Sequence, residues 1–343
     1  MVALLKEIEL RKKLIGSTGV DTIYFGGGTP SVLSSEHLWS IFNRISSEFS
    51  VSKNAEITLE ANPDDLSPNY LNELKSLGFN RLSIGVQSFH QDDLSLMRRS
   101  HTELQASESI KNAAKAGFNN INMDLIYGVP GLSMKKWEKN LLDTMALPVQ
   151  HLSAYHLTYE SGTIFDHWKK KGKLFEVEEA VSIEQYKLLR DLTSGNGFEH
   201  YEISNFAQEG YRSEHNTAYW ENKTYLGLGP AAHSYIGGER SWNVSSVKKY
   251  MEELEKDGVY NEKETLEMKD RFNDYLIISL RAKWGIDMGY IRSEFGEIAL
   301  DALIKTASPH IESGLLLQQN DKLTIDPDQW LKADMILRDL IME

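Results

Sequence analysis

Five short apolar runs, each closed by a polar or glycine-rich stretch and parted from the next by helical periodicity, constrain this chain more than any other feature. They are "DTIYFGG" at 21–27, "AEITLEA" at 55–61, "RLSIGVQ" at 81–87, "NINMDLIYG" at 120–128 and "HLSAYHLTY" at 151–159. Amphipathic segments fall between them near 35–49, 67–77, 103–116 and 133–146. Strands linked through helices of that length run parallel, because a parallel pair needs a crossover of a dozen residues or more. The expected fold class is therefore α/β. Ligands of such sheets, open or barrel-shaped, collect at the C-terminal strand ends.

Every one of those ends carries a polar group. In chain order the residues there are Gly26, Gly27, Gly28 and Thr29, then Glu60 with Asn62 and Pro63, then Gln87, then Asp124 with Tyr127 and Gly128, then His156 and Thr158. Three consecutive glycines let a ligand approach bare backbone, and Pro30 stops the strand. The stretch is neither a P-loop nor a spaced dinucleotide fingerprint. A carboxylate such as Glu60 suits a ligand ammonium or ribose hydroxyls, although a helix cap or surface ion pair explains it as well. Gln87 and Asp124 lie in or after apolar runs, where a buried polar group without a partner costs about 1–3 kcal/mol. Arg99, in "LSLMRRSH", is suited to a carboxylate or to a solvated helix end.

Composition removes several classes. A net charge of -13, with no long basic block, argues against nucleic acid and anionic membrane as partners. The short "HWKKKGK" at 167–173 reads as a solvated loop. There is no apolar stretch of about 18 residues and no leader pattern at the start, so a cytoplasmic location is expected. Cysteine is absent, which excludes disulfides, thiolate nucleophiles and cysteine ligation of zinc or iron. The opening "MVALLKEIELRKKL" has helical apolar spacing at Leu4, Ile8 and Leu14 but nothing before it to cap a helix.

Beyond residue 180 the βα rhythm ends. "HYEIS" at 200–204 leads into a stretch rich in aromatics, glycine and histidine that follows no regular pattern. Within it, "HNTAYW" gathers His215, Asn216, Tyr219 and Trp220, which suit a flat aromatic ligand or an axial imidazole but equally a core aromatic patch. His233 in "GPAAHSY" invites the same two readings. A boundary near 260 precedes a helical run, and the end reads helix, strand, turn at Asn320 and Asp321, strand, helix, in the manner of a winged helix. The expected divisions are 1–180 for the main βα unit, 181–260 for its completion with the "HNTAYW" region, and 261–343 for the C-terminal module.

Together, "IYFGGGTPS", "ITLEANPDD", "RLSIGVQSF", "NMDLIYGVPG", "HLSAYHLTYESGT", "YEISNFA" and "HNTAYW" resemble the radical S-adenosylmethionine family of the oxygen-independent coproporphyrinogen III oxidase. Within it they are most similar to the haem chaperone branch, whose HNxxYW motif is implicated in holding haem. The resemblance covers nearly the whole chain, in the family's order. It implies a partial (β/α)6 TIM-like barrel followed by a helical C-terminal region. It also implies that Gly27, Gly28 and Thr29 meet the methionine end of S-adenosylmethionine, that Glu60, Gln87, Arg99, Asp124 and Thr158 contact the same cofactor, and that His215, Asn216, Tyr219 and Trp220 hold haem. No residue is expected to be catalytic or to bind a metal directly.

The family carries CxxxCxxC after its first barrel strand, whose thiolates hold a 4Fe-4S cluster. This chain has no cysteine, and its first strand-like run corresponds to the family's second. The expectation is a barrel lacking its first strand and its cluster-binding segment, unable to hold the cluster or to do radical chemistry as given. The implied activity is that of a haem chaperone that binds haem and S-adenosylmethionine and passes haem to respiratory proteins, with at most peripheral membrane contact. Two other readings stand beside it. One is the oxidase, which acts on coproporphyrinogen III propionates. The other is a degenerate barrel serving as a protein-binding scaffold. The HNxxYW motif favours the chaperone.

Overall fold

Alternation within the strands decides the architecture, which is taken from a computed structural model describing residues 1–16 and 19–342. The strands are β1 (Val20–Phe25), β2 (Val51–Ala61), β3 (Arg81–Gln87), β4 (Ile121–Tyr127), β5 (His151–His156), β6 (Glu199–Glu202) and β7 (Asn205–Ala207). They form one sheet in the order β1-β2-β3-β4-β5-β7-β6. β2 through β5 pair in parallel, and β7 and β6 close the series antiparallel. Among the described residues β1 and β6 are the two end strands, so the sheet is a partial barrel. Of β1 only Ile23 is fully buried, although Ile23, Tyr24 and Phe25 make an unbroken apolar run.

Successive side chains of a strand point to opposite faces. One face of this sheet is apolar, with Ile57, Leu59, Leu82, Ile84, Met123, Leu125, Leu152 and Ala154 all buried. The other carries Glu56, Thr58, Arg81, Ser83, Asn122, His151 and Ser153, buried as well. The intervening helices supply the cover that an apolar face requires. Pro68–Ser76 buries Leu71 and Leu74, Glu103–Lys115 buries Ala106, Ile110 and Ala113, and Met134–Met145 buries Trp137 and Leu141. Their starts are set by side chains that satisfy otherwise orphaned amides: Ser67, Thr102 in a capping box with Gln105, and Ser133.

Thr22–Ser35 with Glu56–Ser213 make one compact unit, and Met1–Asp21, Glu36–Ala55 and Glu214–Glu343 make a second. The second contains the antiparallel sheet β10-β9-β8, from β8 (His233–Ile236), β9 (Glu239–Asn243) and β10 (Asn261–Thr265). β8 and β9 fall where the sequence showed no regular pattern, whereas β10 takes the start of the run beyond 260 that was expected to be helical; the helix begins only at Met268. The C-terminal sheet β11-β13-β12 comes from β11 (Ile286–Asp287), β12 (Leu316–Gln319) and β13 (Lys322–Ile325). The helix Glu297–Glu312, β12, a turn with Asn320 at φ 53°, β13 and the helix Ala333–Leu340 follow the expected order.

Two sequence expectations are corrected. The first helix, Val2–Ile15, has no side-chain cap, as its sequence suggested, but Leu14 is exposed while Glu7 and Arg11 are buried beside Ile8. The reason is a polar network. Glu7 accepts hydrogen bonds from Gly229 N and Asn243 Nδ2, both at 2.7 Å, and from the Tyr250 hydroxyl. Arg11 donates to Gly227 O and to the hydroxyls of Ser234 and Ser241. A buried ion pair is tolerable only when such extra bonds satisfy it. The second correction concerns 167–173, which is the end of the helix Ile164–Lys170 and its turn rather than a loop throughout. Thr163 caps that helix, and Asp166 pairs with Lys170 at 2.8 Å.

Candidate functional site

The glycine loop follows β1 directly. Gly27 and Gly28 have φ of 78° and 68°, the left-handed region in which an L side chain is strained. Nothing lies within 4 Å of where a Cβ would stand on either, so both present open backbone. Thr29 then starts the 3-10 turn Pro30–Val32, and its side chain makes no capping bond there. Glu60, near the C-terminal end of β2, ties the loop down: its Oε2 accepts the Gly27 amide at 2.9 Å and its Oε1 accepts the Tyr24 hydroxyl at 2.7 Å. Neither the helix cap nor the surface ion pair considered for Glu60 is what its carboxylate makes.

A second carboxylate is approached from the interior. Asn122 is buried and donates through Nδ2 to Ser83 Oγ at 2.8 Å and to Asp124 Oδ1 at 2.7 Å. Its Oδ1 accepts from Ser153 Oγ at 3.1 Å and from His151 Nδ1 at 2.6 Å. With Nδ1 donating, His151 Nε2 is left to accept from the Tyr201 hydroxyl at 2.8 Å. Burial holds His151 well below the usual imidazole range, with Arg81 adding to the effect, so the ring is neutral. Burial also pushes the half-buried Asp124 up to about 6; the charge of Glu60 adds to this, while the bonds from Asn122 and Ser153 oppose it.

The other expected residues fall around this pair. Gln87 ends β3 buried, with φ 66°, beside an irregularity in the β3–β4 register, and it pairs with Leu125 next to Asp124. A non-glycine residue held in that region costs about 1–3 kcal/mol and persists only where its surroundings impose it. Arg99 is half-buried. Burial lowers its affinity for its proton, and the charges of Asp124 and Asp64 act the other way. Gly27 and Glu60 thus meet directly, and Asp124 shares electrostatic reach with Glu60 and Arg99. Thr158 is exposed, two residues beyond β5.

Tyr24, Asn122, His151 and Ser153 were not singled out from the sequence. The signal was present: in "EITLE", "RLS", "NMD" and "HLS" every second residue is polar, which marks a face and not merely a strand end.

In the second unit, "EHNTAYW" forms the short helix Glu214–Trp220. The spacing of four puts His215 and Tyr219 on one side of it. The Tyr219 hydroxyl lies 3.1 Å from His215 Nε2, with the rings edge to face at 5.0 Å. Tyr219 continues onto Tyr225 at 4.6 Å, and Tyr225 onto Tyr235 at 6.4 Å. Tyr219 is exposed, and His215, Asn216 and Trp220 are half-buried. None of the four is fully buried, so the motif is not the core aromatic patch that its composition also allowed. His233 is exposed on β8, its ring stacked with Trp242 at 6.3 Å.

Two cofactor classes can be set against these residues. The open glycines, the Glu60 carboxylate and Arg99 fit an amino-acid zwitterion of the kind S-adenosylmethionine carries. A 4Fe-4S cluster does not fit: the chain has no cysteine, and among the described residues no group of three or more His, Asp or Glu could hold a metal. Among the described residues, no helix is long and apolar enough to cross a membrane.

The chain is similar to several known proteins. Residues 3–144 match the Radical SAM superfamily. The chain is 35% identical over 304 residues to the heme chaperone HemW of Bacillus subtilis (strain 168), covering 88% of this chain and 80% of that protein. It is 30% identical over 342 residues to the heme chaperone HemW of Mycobacterium tuberculosis (strain ATCC 25618 / H37Rv), covering 99% and 86%. Among solved structures it is similar to the coproporphyrinogen III oxidase HemN from Escherichia coli, a radical SAM enzyme, with a TM-score of 0.85 and 22% identity over 99% of this chain and 82% of that one.

Proposed function

The chain belongs to the HemW family of the radical SAM superfamily, and on that premise we propose that it binds haem and S-adenosylmethionine and hands haem to acceptor proteins. The observation that carries this reading is the extent of the kinship, which at 30% identity or more takes in both the barrel and the region of "HNTAYW". The oxidase likeness, at 22% identity, speaks for the fold alone.

For haem, His215 supplies an imidazole on an accessible helix, Tyr219 and Trp220 offer flat aromatic surface to the macrocycle, and Asn216 offers an amide. A ligand on a short helix with no fully buried residue suits a carrier that must also let go. For S-adenosylmethionine, Gly27, Gly28 and Thr29 present backbone to the amino-acid end, Glu60 meets its ammonium, Arg99 its carboxylate, and Gln87, Asp124 and Thr158 complete the polar surround. When bound, that cofactor brings a sulfonium centre; the residues named here bind and orient it. Haem-loaded chain mixed with excess apomyoglobin should lose its haem to the acceptor within minutes. Failure to take up haem, or retention of haem in the presence of the acceptor, contradicts the carrier reading.

A further inference from the structure

The geometry points to Tyr24 as a positioning residue: we propose that its hydroxyl aims the Glu60 carboxylate at the ammonium group of an amino-acid ligand. This rests on the assignment of Glu60 to S-adenosylmethionine made above.

Three observations support it. Tyr24 lies on the opposite face of β1 from buried Ile23, and its hydroxyl donates to Glu60 Oε1 on β2. The phenol is pushed far above its ordinary range, first by burial and then by the charge of Glu60, so it remains protonated and donates at every working pH. Gly26 is shaped around the same contact. A Cβ on Gly26 would stand 2.5 Å from Tyr24 Cε1 and 2.9 Å from Glu60 Oε1, because the ring and the carboxylate occupy that space. This separates Gly26 from Gly27 and Gly28, where a Cβ would meet nothing. The first glycine makes room for the anchor and the next two leave room for a ligand.

The carboxylate is thereby fixed at both oxygens, Oε1 by Tyr24 and Oε2 by the Gly27 amide. Each oxygen of a carboxylate accepts two hydrogen bonds, so each keeps one lone pair for a cationic ligand. An acid held this way need not be ordered when the ligand arrives, which lowers the cost of binding. Without the hydroxyl, Glu60 keeps only the amide and turns about it.

The test compares two probes on the full chain. S-adenosylhomocysteine carries the ammonium and carboxylate, and 5′-methylthioadenosine carries neither. The inference expects Tyr24→Phe to weaken S-adenosylhomocysteine about tenfold while changing 5′-methylthioadenosine less than twofold, with the melting temperature showing that the variant is folded. Glu60→Gln should show the same selectivity with a larger loss. If Glu60→Gln loses the first probe selectively and Tyr24→Phe does not, the role of Tyr24 is overturned and the assignment of Glu60 stands. If Tyr24→Phe weakens both probes equally, its role is general packing and the inference is likewise overturned. If Glu60→Gln leaves both affinities unchanged, the assignment of Glu60 fails and the inference with it.

Discussion

The polar face of the sheet and the helix Glu214–Trp220 solve opposite problems with similar residues. On the sheet, a histidine and a tyrosine are fully enclosed: His151 and Tyr201 hydrogen-bond each other, and every polar atom of the Asn122 side chain is engaged. On the helix, His215 and Tyr219 make the same kind of contact at 3.1 Å where solvent reaches them. Burial turns the first pair into structure, since leaving any member unpaired costs the full desolvation penalty. The second pair is only partly enclosed, so a ligand can take the place of that contact at a smaller desolvation cost. Residue type therefore says little by itself about which histidine is functional; its surroundings do.

This contrast is most easily broken by truncating its buried side. Asn122→Ala removes four hydrogen bonds and takes one partner each from Ser83, Asp124, His151 and Ser153, so we expect a loss of about 3–4 kcal/mol in a denaturant titration. His215→Ala, by contrast, should stay within about 0.5 kcal/mol of the unmutated chain. Comparable losses in the two variants would remove the distinction.

A smaller effect sharpens it. Because the folded-state pKa of Asp124 is raised from an ordinary value near 4 to about 6, the folded chain holds that proton more tightly than the unfolded one between those limits. Stability from this group is therefore lost as pH rises through the window. Asp124→Asn keeps an oxygen to accept from Asn122 and has no charge to bury. Thermal melts should show the variant more stable at pH 7.5 by about 1 kcal/mol, after discounting for partial exposure, with the two proteins converging near pH 4. Glu202, pushed up to about 7 by burial, should leave the variant with a residual decline between pH 4.5 and 7. A variant less stable than its parent at pH 7.5 would show that the Asp124 charge is compensated in the folded chain.

The same contrast explains what could be read from the sequence. The βα series was legible because apolar periodicity survives in single residues, and so was the glycine loop, because three glycines before a proline admit few structures. The ends of the strands drew attention and their interiors did not: Asn122 and Ser153 look like interruptions of apolar runs until the pleat sorts them onto one face. Tyr24 was hidden for a related reason, since in "IYF" it passes for one more apolar residue and only its neighbour across the sheet gives its hydroxyl a purpose. The strands β8 and β9 escaped because they are four and five residues long and parted by Gly237 and Gly238, which turn at positive φ, and β10 escaped because its charged residues read as the start of the helical run beyond 260. Glu7 and Arg11 could not be placed from their own helix, as their partners lie more than 200 residues away.

The central claim is that His215, on the helix Glu214–Trp220, and not His233 on β8, supplies the imidazole that meets haem. Titration of haem into the full chain, followed at the Soret band, tests it most directly against His215→Ala and His233→Ala. The account predicts a ligation-dependent shift in the unmutated chain and in His233→Ala, and its loss in His215→Ala with only weak apolar association remaining. An unchanged spectrum and affinity in His215→Ala, or loss confined to His233→Ala, would contradict it.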